Sequence, residues 1–556
     1  MALRRKTTNQ GGPSHSWRRL EGKGMQRILV LSGIFGVLTF GILFCKLWQL
    51  QVVQHEKLEN KAITQQTREI SSTANRGTIY DANGDILAIS GSVQNVILSP
   101  RDVLATVKVD EKDEFGNARS ETAIEAEKET KVQATYDLIA DEMSEILGLD
   151  REDVMARLKK TKSAYEVLAE KVEDDVADQI RAFIDENDLE GCLYLTADSK
   201  RYYPYSTMAS QVIGFVNKAN EGAYGLEALY NLDLAGQDGK IITAKNASGT
   251  EMPSAYSSYT DAVDGYNVHT TIDATIQMYA EKTLEEGIQK FDVTNGGFCL
   301  VMDPDTGAVL AMASSPDYDL NDPNSIVDAT QAAKLEELKN DPTVSEEEYA
   351  KALSDAQLQQ WANKNMRLSY EPGSTFKSVS ALTILEQGTM GPEDTMFCPS
   401  SISADDYDVS DSHERDGETY SLREILNHSS NVGISLATEN ATANGVSGFE
   451  NLYNKINEYN LHTRTGVDYP GEAAGNVLDF DNWAKITGYN VSFGQGIAVT
   501  PLQMVRFYSA IANDGTLVTP HFLISKPQSG DVAEWESEET GVDETVLADM
   551  RSMLRS

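Results

Sequence analysis

A chain of 556 residues is too long for one compact core, so its length predicts three or four domains. Its 86 acidic and 47 basic side chains give a formal net charge of −39, which argues against nucleic-acid binding, because that function needs a basic surface. The four cysteines show no C-x-x-C spacing, so the sequence predicts neither a dense disulfide framework nor a metal site, and we expect no cofactor.

The N-terminal region combines a basic tail with an apolar run. Residues 1–26 are polar and glycine-rich and predict a disordered cytoplasmic tail. The stretch from Ile28 to Cys45 carries no charge and is long enough to cross a bilayer, so residues 27–50 predict one transmembrane helix. A signal peptide is the alternative, but the run is longer than a usual h-region and no small-x-small cleavage site follows. The positive-inside rule then puts everything after about Leu50 outside the cell membrane.

Residues 51–262 predict an extracytoplasmic α+β domain. The segment "RGTIYDANGDILAIS", Arg76–Ser90, predicts a β-hairpin that turns at Asn83-Gly84. Residues 109–134 are highly charged and predict a solvated loop that leads into a helix. Amphipathic periodicity predicts helices from Thr135 to about Leu189.

Residues 263–556 predict an α/β domain. Gly265–Asp273 alternates like a strand and precedes a helical segment. The segment "GGFCLVMDPDTGAVLAMASSP" predicts two strands joined by a turn at Pro304–Gly307. Helical patterns follow, so we expect an antiparallel sheet covered by helices.

The segment "EPGSTFKSVSALTILEQG", Glu371–Gly388, holds the strongest chemical signal. Ser374 and Lys377 are three residues apart and share one face if the run is helical, while the apolar residues after them would bury the far side. A serine in a first helical turn lies near unpaired N–H groups and the positive end of the helix dipole, which favours negative charge on oxygen. Lys377 would then be a possible base, although S-x-x-K alone is a weak pattern.

Several motifs in chain order resemble the class B penicillin-binding proteins, which are peptidoglycan D,D-transpeptidases of division, elongation or sporulation. The resemblance extends from about Leu47 to the last residue. The motifs that resemble the family's N-terminal pedestal are "RGTIYDANGDILA", "RYYPYSTMASQVIGF" and "GLEALYNLDLAGQDG". Those that resemble its transpeptidase domain are "TTIDATIQ", "VMDPDTGAVLAMASSP", "EPGSTFK", "SSNVG" at Ser429–Gly433 and "SFGQGIAVTPLQM".

This resemblance implies a membrane anchor, a pedestal or dimerisation domain at residues 51–262 and a penicillin-binding transpeptidase domain at residues 263–556. It implies that Ser374 attacks the carbonyl between the two D-alanines of a stem peptide, with Lys377 as base. Ser429 would relay a proton to the leaving group, and Asn431 would hold Lys377 and the substrate amide. An amine of a neighbouring stem peptide would resolve the acyl-enzyme, and β-lactams would acylate the same serine. Implied partners are a polytopic membrane glycosyltransferase and division or sporulation proteins.

The family's third motif, K-T-G, is missing from the sequence. "KITG" at Lys485–Gly488 is no substitute, because it precedes "SFGQG" where the motif should follow. A helix predicted to begin after Asp543 is still under way at Ser556, so we expect the chain to be C-terminally incomplete. The missing motif favours one alternative, a non-catalytic scaffold of the cell-wall synthesis complex. Because S-x-x-K is also a β-lactamase motif, a β-lactam sensor or β-lactamase is a further alternative.

Overall fold

The computed structural model describes residues 22–54, 67–112, 118–245, 251–252 and 258–555. The chain divides into two compact units, Met1–Ser71 with Lys240–Thr260, and Ser72–Gly239 with Asp261–Ser556. The tail predicted at residues 1–26 lies outside the described residues as far as residue 21.

The first unit contains a long apolar helix. It spans Gly22–Trp48 and continues as a π-helical turn, Gln49–Val53. Among the described residues, this is the one helix long and apolar enough to cross a membrane, with a mean hydropathy of 2.0 over Val30–Val53. A small sheet is formed by the strands Thr67–Ser72, Gly239–Lys245, Glu251–Met252 and Ser258–Thr260.

The second unit begins with a sheet built around one long strand, Ile86–Leu98. Its other strands are Ile79–Tyr80, Glu166–Val172, Leu193–Tyr202 and Val268–His269. The predicted hairpin is confirmed, because Ile79–Tyr80 pairs antiparallel with Ile86–Leu98 around Gly84, whose φ is +93°. Three helices bury apolar side chains against this sheet, namely Glu121–Leu147, Arg151–Leu158 and Asp174–Glu186.

Two sequence predictions in this region were wrong. The predicted solvated loop at 109–134 is helical from Glu121, because Ser120 accepts a hydrogen bond from the Ala123 N–H and Glu127 pairs with Lys131 four residues on. The predicted helical stretch 135–189 is interrupted by the strand Glu166–Val172. Pairing with Ile86–Leu98, distant in sequence, overrides the local helical pattern there.

The part of this unit after residue 270 begins with the helix Ala274–Phe291 and an antiparallel hairpin. The two predicted strands are confirmed as Gly297–Met302 and Val309–Ser315, with Cys299 opposite Ala313. The helix packs on this hairpin through small apolar residues, including Ala280, Ala311 and Ala313.

A helical layer follows around one buried helix, Lys377–Glu386. All residues from Lys377 to Leu385 are buried, so the predicted burial of the far side of this helix is confirmed, and the burial also includes Lys377 itself. Other helices supply apolar residues to its core, and the enclosed position explains the burial on all sides. They are Asn431–Asn440, Gly448–Glu458, Pro501–Ala512 and Glu544–Leu554, the last capped by Asp543 as predicted.

The remaining helices and strands complete this unit. The remaining helices are Pro100–Thr106, Ser210–Ile213, Gly225–Leu229, Asn231–Leu234, Ala329–Asn340, Glu346–Trp361, Lys364–Arg367, Leu422–Asn427 and Lys485–Ser492, with 3₁₀ turns at Gly373–Phe376 and Phe480–Asn482. The remaining strands pair as Thr395–Cys398 with Glu418–Ser421, Ser401–Ala404 with Tyr407–Ser410, and Thr516–Val518 with Ser537–Glu539.

Candidate active site

Ser374 and Lys377 lie where a 3₁₀ turn becomes an α-helix. The turn spans Gly373–Phe376, and Gly373 has a φ of +57°, a backbone conformation that favours glycine. Side chains three residues apart eclipse each other in a 3₁₀ turn, so the two functional side chains lie close together. Lys377 Nζ is 3.3 Å from Ser374 Oγ. The serine is exposed, whereas Lys377 retains only 1% of its accessible surface.

Ser429 and Asn431 reach the same point from a second segment. Ser430 caps the helix Asn431–Asn440 by accepting a hydrogen bond from the Gly433 N–H at 2.9 Å. The preceding residue, Ser429, has a φ of +53°, an uncommon conformation for serine that stores backbone strain. This turn directs both the carbonyl and the hydroxyl of Ser429 toward Lys377.

Four oxygen atoms surround the Lys377 amine. Nζ lies 2.6 Å from the Ser429 carbonyl oxygen, 2.8 Å from Asn431 Oδ1 and 2.9 Å from Ser429 Oγ, in addition to Ser374 Oγ. The Ser429 hydroxyl is also 2.8 Å from Ser374 Oγ. The structure therefore brings all four predicted site residues together.

The identity of these oxygens decides what the amine can do. The Ser429 carbonyl and Asn431 Oδ1 only accept hydrogen bonds, so each takes one N–H of Lys377. A neutral amine has two N–H bonds and one lone pair, so its lone pair is then left for the hydroxyls of Ser374 and Ser429. In this state Lys377 can accept a proton from a serine.

Burial makes the neutral state of the amine accessible. It lowers the pKa of Lys377 to about 8, while the negative charge of Asp411 raises this pKa and the positive charge of Arg415 lowers it. A base whose pKa lies near the working pH combines availability with proton affinity, as general-base catalysis requires.

The "SFGQG" segment supports the turn Gly373–Phe376, a role that the sequence reasoning did not assign. The Gly373 N–H donates to the Gly494 carbonyl at 3.0 Å, and the Gly496 N–H donates to Glu371 Oε1 at 2.8 Å. A Cβ at position 494 would lie 2.3 Å from the Gly373 oxygen, so only glycine fits there. The two glycines of this motif were the sequence feature that could have predicted this close contact.

Two other side chains that the sequence reasoning missed lie behind the Ser429 turn. Asp411 accepts hydrogen bonds from the Ser430 hydroxyl and the Val432 N–H, and Arg415 donates to the His428 carbonyl. No spacing rule links residues 411 and 415 to the "SSNVG" motif, so no sequence signal pointed to them. By contrast, Lys485 of "KITG" lies on the helix Lys485–Ser492 and pairs with Glu439 at 2.7 Å.

Comparison with known protein families identifies two domains in the chain. Residues 71–270 match the penicillin-binding protein dimerisation domain, and residues 297–556 match the penicillin-binding protein transpeptidase domain. The chain is 28% identical over 508 residues to stage V sporulation protein D of Bacillus subtilis, covering 90% of this chain and 67% of that protein. It is 26% identical over 493 residues to the peptidoglycan D,D-transpeptidase FtsI of Escherichia coli, covering 88% of this chain and 71% of that protein.

Solved structures share the fold. The penicillin-binding protein PBP2 of Helicobacter pylori, solved in complex with MreC, has a TM-score of 0.61 at 21% identity, covering 88% of this chain and 83% of that chain. The present chain spans about two thirds of the length of the curated relatives it matches. With both the dimerisation domain and the transpeptidase domain matched, the chain belongs to the class B penicillin-binding proteins.

Proposed function

We propose that this protein is a serine-type peptidoglycan D,D-transpeptidase in which Ser374 forms an acyl-enzyme on the D-Ala-D-Ala end of a stem peptide. One observation carries the proposal: two carbonyl oxygens hold the buried Lys377 amine so that its lone pair faces the hydroxyls of Ser374 and Ser429. An unaided serine is a weak nucleophile and needs such a base within reach.

In the acylation step the Ser374 hydroxyl gives its proton to Lys377 while Oγ attacks the carbonyl carbon of the penultimate D-alanine. Direct transfer spans 3.3 Å, and a relay through the Ser429 hydroxyl uses two shorter contacts of 2.8 and 2.9 Å. Backbone N–H groups at the N-terminal end of the helical run favour the negative charge on the tetrahedral oxygen. The C–N bond then breaks, and the terminal D-alanine leaves with a proton from Lys377 delivered through Ser429.

The second step transfers the acyl group. The amine of a neighbouring stem peptide attacks the Ser374 ester, its proton passes to Lys377, and the ester C–O bond breaks as the new amide forms. Ser374 recovers its proton and the enzyme is regenerated. A β-lactam enters the same first step, with its ring amide taking the place of the scissile peptide bond.

The non-catalytic scaffold and the β-lactam sensor or β-lactamase predict different outcomes in one labelling experiment. The protein expressed from its complete open reading frame is treated with a fluorescent penicillin, next to the variant S374A. We expect stoichiometric labelling of the wild type that S374A abolishes, whereas a scaffold would not be labelled. Release of the label by water within minutes would instead favour the β-lactamase. Incorporation of a labelled D-amino acid into a D-Ala-D-Ala peptide would identify transfer to an amine.

The same proposal includes a membrane setting. The apolar helix would span the cell membrane with its basic N terminus in the cytoplasm and the catalytic region outside, where peptidoglycan is assembled. A polytopic membrane glycosyltransferase and division or sporulation proteins would be its partners. A reporter active only outside the membrane, fused after residue 54 or before residue 22, tests the orientation. Activity of the N-terminal fusion alone would refute it.

A further inference from the structure

The turn that carries Ser429 is fixed from behind by one short segment, residues 411–415. This segment follows the hairpin strand Tyr407–Ser410, and the Ser410 carbonyl accepts a hydrogen bond from Asn431 Nδ2 at 3.2 Å. Asn431 is therefore anchored through its nitrogen while its oxygen binds Lys377.

Asp411 holds the C-terminal side of the turn. Its carboxylate accepts the Ser430 hydroxyl at 2.9 Å and the Val432 N–H at 3.0 Å, and only 9% of its side chain is exposed. The Ser430 oxygen also accepts the Gly433 N–H, so Asp411 orients the hydroxyl that caps the Asn431–Asn440 helix.

Arg415 holds the N-terminal side. Its Nη2 donates to the His428 carbonyl at 2.6 Å, and its Nη1 lies 3.7 Å from Asp411 Oδ2. Ser429, with its left-handed backbone, thus lies between residue 428, which Arg415 contacts, and residues 430 and 432, which Asp411 contacts. A strained residue persists only where its surroundings fix it, and these contacts provide that constraint.

The same two side chains are the charged groups that act on the Lys377 amine. Asp411 raises the pKa of Lys377 and Arg415 lowers it, whereas Ser374, Ser429 and Asn431 are uncharged. The other ion pair packed on the Lys377–Glu386 helix joins Lys455 with Glu386 at the opposite end of that helix.

We propose that Asp411 and Arg415 are positioning residues that clamp the Ser429 turn and, through their opposite charges, set the pH range in which Lys377 acts as base. This inference rests on the proposed function. It adds two residues that hold the Ser429 turn in place and set the pH range of the same site. Neither side chain needs to touch the substrate for this role.

The test measures second-order rates of penicillin acylation from pH 6 to pH 10, on the protein expressed from its complete open reading frame. The variant D411N keeps an oxygen for the Val432 N–H but removes the negative charge, so the midpoint of the profile should move to lower pH. The variant R415Q removes the positive charge, so the midpoint should move to higher pH. Each displacement is expected to be on the order of half a pH unit.

The exposed neighbour Glu414 provides the matched control. E414Q removes one negative charge from the same segment, and its profile should coincide with that of the wild type. Circular dichroism at each pH verifies that every variant is folded over the range measured, so that a displaced midpoint reports Lys377 and not unfolding. D411A, which loses both acceptors, should lower the plateau rate by about 10²-fold, as expected for a misplaced catalytic group, and D411N should recover most of it.

The possible outcomes distinguish a failure of this inference from a failure of the proposed transpeptidase function. Opposite displacements by D411N and R415Q, with E414Q unchanged, support the clamp. If the wild type is labelled at Ser374 but the two variants keep its midpoint or move it in the same direction, the clamp is wrong and the transpeptidase proposal stands. If the wild type is not labelled at Ser374, the proposed function fails, and this inference fails with it.

Discussion

The Nζ atom of Lys377 lies 2.6 Å from the carbonyl oxygen of Ser429, a residue with a left-handed backbone. A carbonyl oxygen can only accept, so this contact takes one N–H of the amine, and together with the second N–H on Asn431 Oδ1 it leaves the lone pair facing the serine hydroxyls. The strained turn at Ser429 therefore orients the Lys377 amine as well as presenting a hydroxyl. Variants of Lys377, of the Ser429 turn and of the turn Gly373–Phe376 should show how much each contributes to the rate of acylation.

The first prediction concerns the base itself. The variant K377R keeps a cation in the site, but a guanidinium stays protonated at all accessible pH values and cannot take the Ser374 proton. We expect penicillin acylation to fall by about 10² to 10⁴-fold, the usual contribution of general-base catalysis. Stopped-flow fluorescence with excess penicillin measures this rate. K485R is the matched control, because Lys485 lies outside the site in an ion pair with Glu439. Acylation of K377R at the wild-type rate would exclude Lys377 as the base.

Much of the architecture followed from local sequence signals. The turns at Gly84 and Gly307 required glycines at positive φ, and alternating apolar residues marked the strands on either side, so both hairpins were predictable. The nucleophile turn was predictable because Gly373 precedes Ser374 at a helical start.

Contacts between distant segments were not predictable in this way. The strand Glu166–Val172 exists because it pairs with a strand far away in sequence, and its own pattern resembles a helix. Likewise, Asp411 reaches the Ser429 turn through a hairpin whose path no spacing rule reveals. The complete burial of Lys377 also depends on packing by several helices, so its lowered pKa could be anticipated only as a chemical requirement.

A second prediction links the pKa of Lys377 to stability. The folded-state pKa of about 8 lies below the ordinary lysine pKa of 10.5, so between these values the unfolded chain binds more protons than the folded protein. Wild-type stability should therefore rise with pH between about 8 and 10.5 relative to K377M, which has no group titrating at this site. Thermal unfolding of both proteins at pH 7.5 and pH 10 measures the difference. Since other groups titrate in both proteins, only the change in the gap between their Tm values is diagnostic. A constant gap would contradict the lowered pKa.

A third prediction concerns the brace on the nucleophile turn. In G494A the new Cβ would lie 2.3 Å from the Gly373 oxygen and 2.7 Å from its nitrogen, so the turn before Ser374 has to shift. We expect a loss of acylation of about 10²-fold together with a lower Tm. G496A is the matched control, because Gly496 also has a positive φ but meets no atom within 4 Å of its Cβ. It should cost only the backbone strain of about 1 to 2 kcal/mol. Equal effects of the two variants would mean that strain, not the contact with Gly373, decides the outcome.

The last prediction separates the hydroxyl of Ser429 from its carbonyl. S429A keeps the carbonyl that holds Lys377 at 2.6 Å but removes the hydroxyl 2.8 Å from Ser374 Oγ and 2.9 Å from Lys377 Nζ. We expect the acylation rate to fall by about 10² to 10³-fold at every pH, since the relay and the proton route to the leaving group are lost. The midpoint of the pH profile should stay near that of the wild type, because the charges and the burial around Lys377 are unchanged. S447A is the control, because Ser447 caps a different helix, Gly448–Glu458, and it should lower stability by about 1 kcal/mol through loss of that cap without changing the acylation rate of the folded protein. If S429A is acylated at the wild-type rate, the relay is excluded, and the proton passes directly from Ser374 to Lys377 over 3.3 Å.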